Sequence, residues 1–128
     1  MPKPLNTILY VEDEADIRTV AKMALEAVGG FSVHACASGR EALAVAAGAA
    51  ADLLLLDVMM PGLDGPSTLK ALREIPATAN TPVIFMTAKV QPAEIAEYRG
   101  LGALDVIAKP FDPMQISAEI RRIWGLQP

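Results

Sequence analysis

The stretch LLLLDVMMPGLDG, Leu53 to Gly65, decides how this 128-residue chain folds. Four consecutive leucines leave a strand no polar face. A strand buried on both sides belongs in a parallel sheet with helices packed above and below it. Asp57 follows the leucines directly, so the strand delivers a lone carboxylate to its own C-terminal end. Pro61-Gly62 and Asp64-Gly65 are turn chemistry. They carry the chain away sharply and leave Asp57 open.

The pattern on either side repeats this unit. Thr7 to Val11 is a short β-branched and aromatic run ending at Glu12-Asp13. Ile17, Val20, Ala21, Ala24, Leu25 and Val28 then recur with the spacing of an amphipathic helix, with Asp16 or an acid just before it as cap and Gly29-Gly30 as stop. Phe31 to Ala37 reads as a strand, and Gly39 to Gly48 as an alanine-rich helix capped by Ser38. After the leucine strand, Asp64 caps a helix from about Pro66 with Leu69, Leu72 and Ile75 inward. Pro82 to Met86 is a fourth strand, Pro92 to Arg99 a short helix, and Asp105 to Ala108 a fifth strand. Ile116, Ile120, Ile123 and Trp124 stripe a last helix that stops at Gly125. Five alternating strand-helix units predict a doubly wound α/β fold with a five-stranded parallel sheet and five helices.

Composition narrows the function classes. The chain is 52% hydrophobic and 20% charged, a globular profile of single-domain length. A net charge of −4 argues against a nucleic-acid binder driven by phosphate contacts. No apolar run reaches the roughly 18 residues that cross a bilayer, and the acids that soon follow Lys3 are unlike a signal peptide. Cys36 is the only cysteine, which fits a reducing compartment. The expectation is a soluble cytoplasmic domain.

In open α/β sheets, ligands bind beyond the carboxyl ends of the strands. Here those ends carry Glu12-Asp13, Ala37-Ser38, Asp57, Thr87-Ala88 and Lys109-Pro110. Three carboxylates so placed repel one another or recruit a cation, and hard oxygen ligands in that number suit Mg²⁺. Lys109 and Thr87 complement the equatorial oxygens of a phosphoryl group. Asp57 is the candidate nucleophile, able to form an acyl phosphate. Glu12 and Asp13 are adjacent, and strand neighbours point to opposite faces, so both serve one site only if the chain turns at Asp13.

VEDE at 11–14, LLLLDVMMPGLDG at 53–65, MTA at 86–88 and KPF at 109–111 occur in order at successive strand ends. In these four motifs the chain resembles the receiver domain of two-component response regulators, over essentially its whole length, residues 1–128. The resemblance implies a flavodoxin-like receiver fold with strand order 2-1-3-4-5. It implies that Asp57 accepts phosphate from a sensor histidine kinase or histidine phosphotransfer protein, and that a downstream effector reads the result. Mg²⁺ would lie on Glu12, Asp13, Asp57 and the Met59 main-chain carbonyl. Thr87, the Ala88 backbone and Lys109 would contact the phosphoryl group. A cis peptide is expected between Lys109 and Pro110. The chain departs from the family pattern at Val106, a position usually aromatic, leaving no ring to rotate inward. Met59 and Lys89 hold positions that bear on phosphoryl lifetime.

Blander readings exist for each residue. Asp57 can cap a turn, Glu12-Asp13 can be a solvated strand end, Thr87 an ordinary strand residue and Lys109 a surface charge. His34 and Cys36 read as packing or surface residues, and Tyr98 and Arg99 as part of a partner face. A phosphohydrolase of the haloacid dehalogenase type also places an aspartate after an apolar strand, but usually carries a second aspartate two residues on, where this chain has Met59. A binding module on the same fold that no longer uses phosphate is the other alternative. A receiver of this kind is a signalling domain, not an enzyme in the usual sense.

Overall fold

The structure is a computed structural model and describes residues 3–127. Strands β1 (Thr7–Val11), β2 (Ser32–Cys36), β3 (Leu53–Asp57), β4 (Val83–Thr87) and β5 (Asp105–Ala108) alternate with helices α1 (Ala15–Ala27), α2 (Gly39–Ala49), α3 (Gly65–Leu72), α4 (Pro92–Gly100) and α5 (Ile116–Gly125). All strands pair in parallel, in the order β2-β1-β3-β4-β5. The doubly wound sheet and its order agree with the expectation from the sequence.

The leucine run accounts for the layering. Leu53 and Leu55 face a core built with Tyr10, Leu25, Ile120 and Trp124, beneath α1 and α5. Leu54 and Leu56 face the opposite core, with Leu9, Ala42, Leu69 and Phe85, beneath α2 and α3. All four leucines are fully buried, so the central strand is locked from both sides and Asp57 has one position along it.

Two helix caps form as the sequence predicts. The Ser38 hydroxyl accepts from the Glu41 amide at 3.1 Å, and Asp64 Oδ1 accepts from the Ser67 amide at 2.8 Å. The third differs: α1 begins after Glu14, whose side chain makes no capping bond, while Asp16 lies within the first turn. The inward stripe of α1 is also narrower than its spacing implies. Ala21, Ala24 and Leu25 are buried, but Val20 and Val28 are about half exposed, because only the centre line of a helix touches the sheet. Ile75 lies past the end of α3, where it precedes a 3₁₀ turn at Pro76–Thr78 that the helical spacing does not reveal.

Candidate functional site

The carboxyl ends of β1, β3, β4 and β5 come together at one rim. At the end of β1 the Glu12 amide continues the ladder, donating to the Cys36 carbonyl at 3.0 Å. The chain then bends at Asp13, which satisfies the condition under which both acids reach one site. Arg18 braces that bend: its Nη1 donates to the Glu12 carbonyl at 2.8 Å and to the Asp13 carbonyl at 3.4 Å. Glu12, Asp13 and Asp57 each bring one carboxylate oxygen to within 4.8 Å of the others. Three hard oxygens at that separation match the donor chemistry of Mg²⁺.

Asp57 closes β3, and its surroundings depend on a glycine. Val58 donates to the Met86 carbonyl at 3.0 Å, and Gly65 donates back to the Val58 carbonyl at 2.9 Å. A Cβ on Gly65 would lie 2.5 Å from the Asp57 carbonyl oxygen and 2.9 Å from Val58 Cα. The first turn of α3 thus passes against the backbone of the acid, and only glycine fits there.

Lys109 enters from the end of β5, where its amide bonds the Thr87 carbonyl at 2.9 Å and the Lys109-Pro110 peptide is cis. Its Nζ bonds Glu12 Oε1 at 2.8 Å and lies 3.3 Å from Asp57 Oδ1. One ammonium therefore bridges two carboxylates and sits closer to Glu12. The Thr87 hydroxyl is buried and accepts from the Lys89 amide at 3.1 Å, which leaves its own proton available to a ligand. Ala88 follows it at the exposed edge of the rim. Met59 is 68% exposed beside the site. Val106 is buried on β5, in register with Phe85, and Phe85 packs on Tyr98 of α4 at 5.3 Å between ring centroids. Arg99 pairs with Asp105 at 3.0 Å. His34 is exposed, and Cys36 is buried on the other side of the sheet from Tyr10.

Burial and charge act together on the acids. Asp57 is only 2% exposed, so the turn after β3 leaves it less open than the sequence predicts. Burial and then the Glu12 charge push its carboxyl up to about 7, against the opposing pull of Lys109. Burial would lower Lys109, but its hydrogen bond to Glu12 and the charges of Asp57 and Glu12 outweigh that and raise it. The added positive charge of a divalent cation would draw the Asp57 carboxyl back down.

A family model of the response regulator receiver domain matches residues 8–121. The chain belongs to that family. The receiver is 41% identical over 119 residues to the transcriptional regulatory protein CpxR of Escherichia coli, covering 93% of this chain and 49% of that protein. It is 37% identical over 123 residues to the regulatory protein AtoC of the same species, covering 96% of this chain and 26% of that protein. The receiver therefore spans from a quarter to about half the length of these relatives. Among solved structures, the chemotaxis protein CheY4 of Vibrio cholerae superposes with a TM-score of 0.84 at 32% identity, covering 94% of this chain and 99% of that one.

Motif reading missed two residues of the receiver's rim. Arg18 acts by gripping main-chain carbonyls, which leaves no mark in a pattern of side chains. Gly65 was legible as turn chemistry, yet its contact with the Asp57 backbone is set by how α3 crosses β3. No helix among the described residues is long and apolar enough to cross a membrane.

Proposed function

We propose that residues 1–128 form one cytoplasmic receiver domain that takes a phosphoryl group on Asp57 from a phosphohistidine, borne by a sensor histidine kinase or a histidine phosphotransfer protein. The observation that carries this reading is the convergence of Glu12, Asp13, Asp57 and Lys109 at a single rim. An Asp57 carboxylate oxygen attacks the phosphorus, the phosphorus–nitrogen bond breaks, and its electron pair leaves with the donor imidazole. Glu12, Asp13, Asp57 and the Met59 carbonyl would hold Mg²⁺, which would supply positive charge to offset repulsion between the carboxylate and the incoming phosphoryl oxygens. Lys109 pairs with the transferred group. The Thr87 hydroxyl and the Ala88 backbone donate to its remaining oxygens.

An apolar cleft of Ile17, Val20, Pro110, Phe111 and Pro113 adjoins Lys109 and offers a donor a surface to seat against. The phosphorylated state is then read by a downstream effector protein. With Val106 already small and buried, the change of shape proceeds without an aromatic side chain rotating at that position. The domain is a signalling module, with no nucleic-acid or membrane contact of its own.

Intact-mass spectrometry after incubation with a small acyl-phosphate donor tests the reading. One phosphoryl adduct is expected, formed only with Mg²⁺ and absent from Asp57→Asn. A folded protein that stays unmodified in both conditions would leave a binding module that ignores phosphate.

A further inference from the structure

Glu12, Asp13 and Glu14 link β1 to α1, and two of the three clustered acids ride on that link. Adjacent residues on a strand face opposite sides, so Glu12 and Asp13 share one rim only while the backbone between them stays bent. Little holds the bend. The ladder stops at the Glu12 amide, which bonds the Cys36 carbonyl at 3.0 Å. α1 then starts after Glu14 with no side-chain cap, although such caps usually fix how a chain enters a helix. The Glu14 amide does reach Glu12 Oε2 at 3.2 Å, but that oxygen belongs to the acid cluster itself.

Arg18 braces the link without touching the cluster. It stands at the close of the first turn of α1, and side chains on a helix lean toward its N-terminus, which aims the guanidinium at the chain before the helix. Its Nη1 draws in two successive carbonyls, Glu12 at 2.8 Å and Asp13 at 3.4 Å. Among the described residues neither carbonyl accepts another hydrogen bond, and Arg18 pairs with no carboxylate. Lys109 and the Glu14 amide, by contrast, both occupy carboxylate oxygens of Glu12. The grip of Arg18 therefore uses none of the oxygens that a cation needs.

Resting on the phosphoacceptor reading above, we propose that Arg18 is a positioning residue for the cation: by drawing the Glu12 and Asp13 carbonyls to one nitrogen it keeps both carboxylates on the rim, and so sets how tightly the rim binds Mg²⁺. That ion demands near-ideal octahedral geometry, so a carboxylate free to drift costs affinity. The charge of Arg18 acts the other way, since a guanidinium near a cation repels it. The two effects differ in sign, and the measured affinity decides between them.

Mg²⁺ titrations followed by backbone amide NMR shifts read the affinity and place the ion. Arg18→Ala is expected to bind Mg²⁺ about tenfold more weakly than wild type, the low end of the loss when a group that orients metal ligands is removed. Loss of charge alone would tighten binding instead. Arg18→Lys, equally charged but one bond shorter, is expected to weaken binding in the same direction and replaces Arg18→Ala should that variant not fold. Trp124→Phe, which loses the indole bond to the Lys3 carbonyl far from the rim, is expected to lower the urea midpoint and keep wild-type affinity. Wild-type or tighter binding by Arg18→Ala, or by Arg18→Lys in its place, would overturn the role of Arg18 while leaving the phosphoacceptor reading intact. An equal loss of affinity in Trp124→Phe would do the same. A wild type with no Mg²⁺-dependent shifts at Glu12, Asp13 or Asp57 would overturn both.

Discussion

Asp57 is the residue whose chemistry is most altered by its place in the fold. Its carboxyl, ordinarily near 3.8, is pushed up to about 7 by burial and by Glu12. Below pH 4, folded and unfolded chains both hold the proton. Between about 4 and 7 the unfolded chain releases it and the folded one keeps it, so metal-free stability falls as pH rises and levels off above 7. Asp57→Asn removes this slope. In urea unfolding with a chelator present, its advantage over wild type is expected to grow from pH 4 to pH 7, reaching on the order of a few kcal/mol. Added Mg²⁺ is expected to shrink that difference, since a cation favours the ionised form. Cys36 gives a second pH expectation. Burial, then Glu41, raises its thiol to about 11, and only the thiolate reacts. Labelling of the native protein by a disulfide reagent at pH 8 should be no faster than unfolding, and immediate in denaturant.

Glycines make the clearest contrast between elements of the same type. Gly65 opens α3 against the backbone of β3, where a methyl group would meet the Asp57 carbonyl and Val58 Cα. Gly65→Ala is expected to cost about 2 kcal/mol or more and to lower Asp57 labelling by an acyl phosphate, because relief of the clash moves the acceptor. Gly48 lies inside α2 with open space around it. Gly48→Ala should stabilise the protein by up to about 1 kcal/mol and leave labelling unchanged. Thermal unfolding of the two variants checks both signs. Gly65 reads as turn chemistry and Gly48 as a helix end, but neither reading tells which of the two has no room for a methyl group. The difference is what each one faces. The same reason explains Val20 and Val28, which have the right spacing for the core but lie off the line where α1 meets the sheet.

The ends of the chain are joined far from the site: the Trp124 indole donates to the Lys3 carbonyl at 2.7 Å. Trp124→Phe loses this bond and some packing, and the urea midpoint should fall by the equivalent of about 1–3 kcal/mol, with Asp57 labelling intact, since the bond lies at the opposite ends of the strands. The layered architecture, the five strands and the location of Asp57, Glu12, Asp13, Thr87 and Lys109 at strand ends could all be read in advance. They follow from local pattern: an all-apolar run can be satisfied only between two layers, and the residue after it must emerge at an edge. Other features have no local signature. That Lys109 lies nearer Glu12 than Asp57, that Arg18 grips the bend at Asp13, and that the buried Tyr10 hydroxyl has no partner among the described residues all depend on contacts between strands and helices distant in sequence or turned toward the backbone. Periodicity states which face a side chain takes, and packing alone sets which atom it meets there.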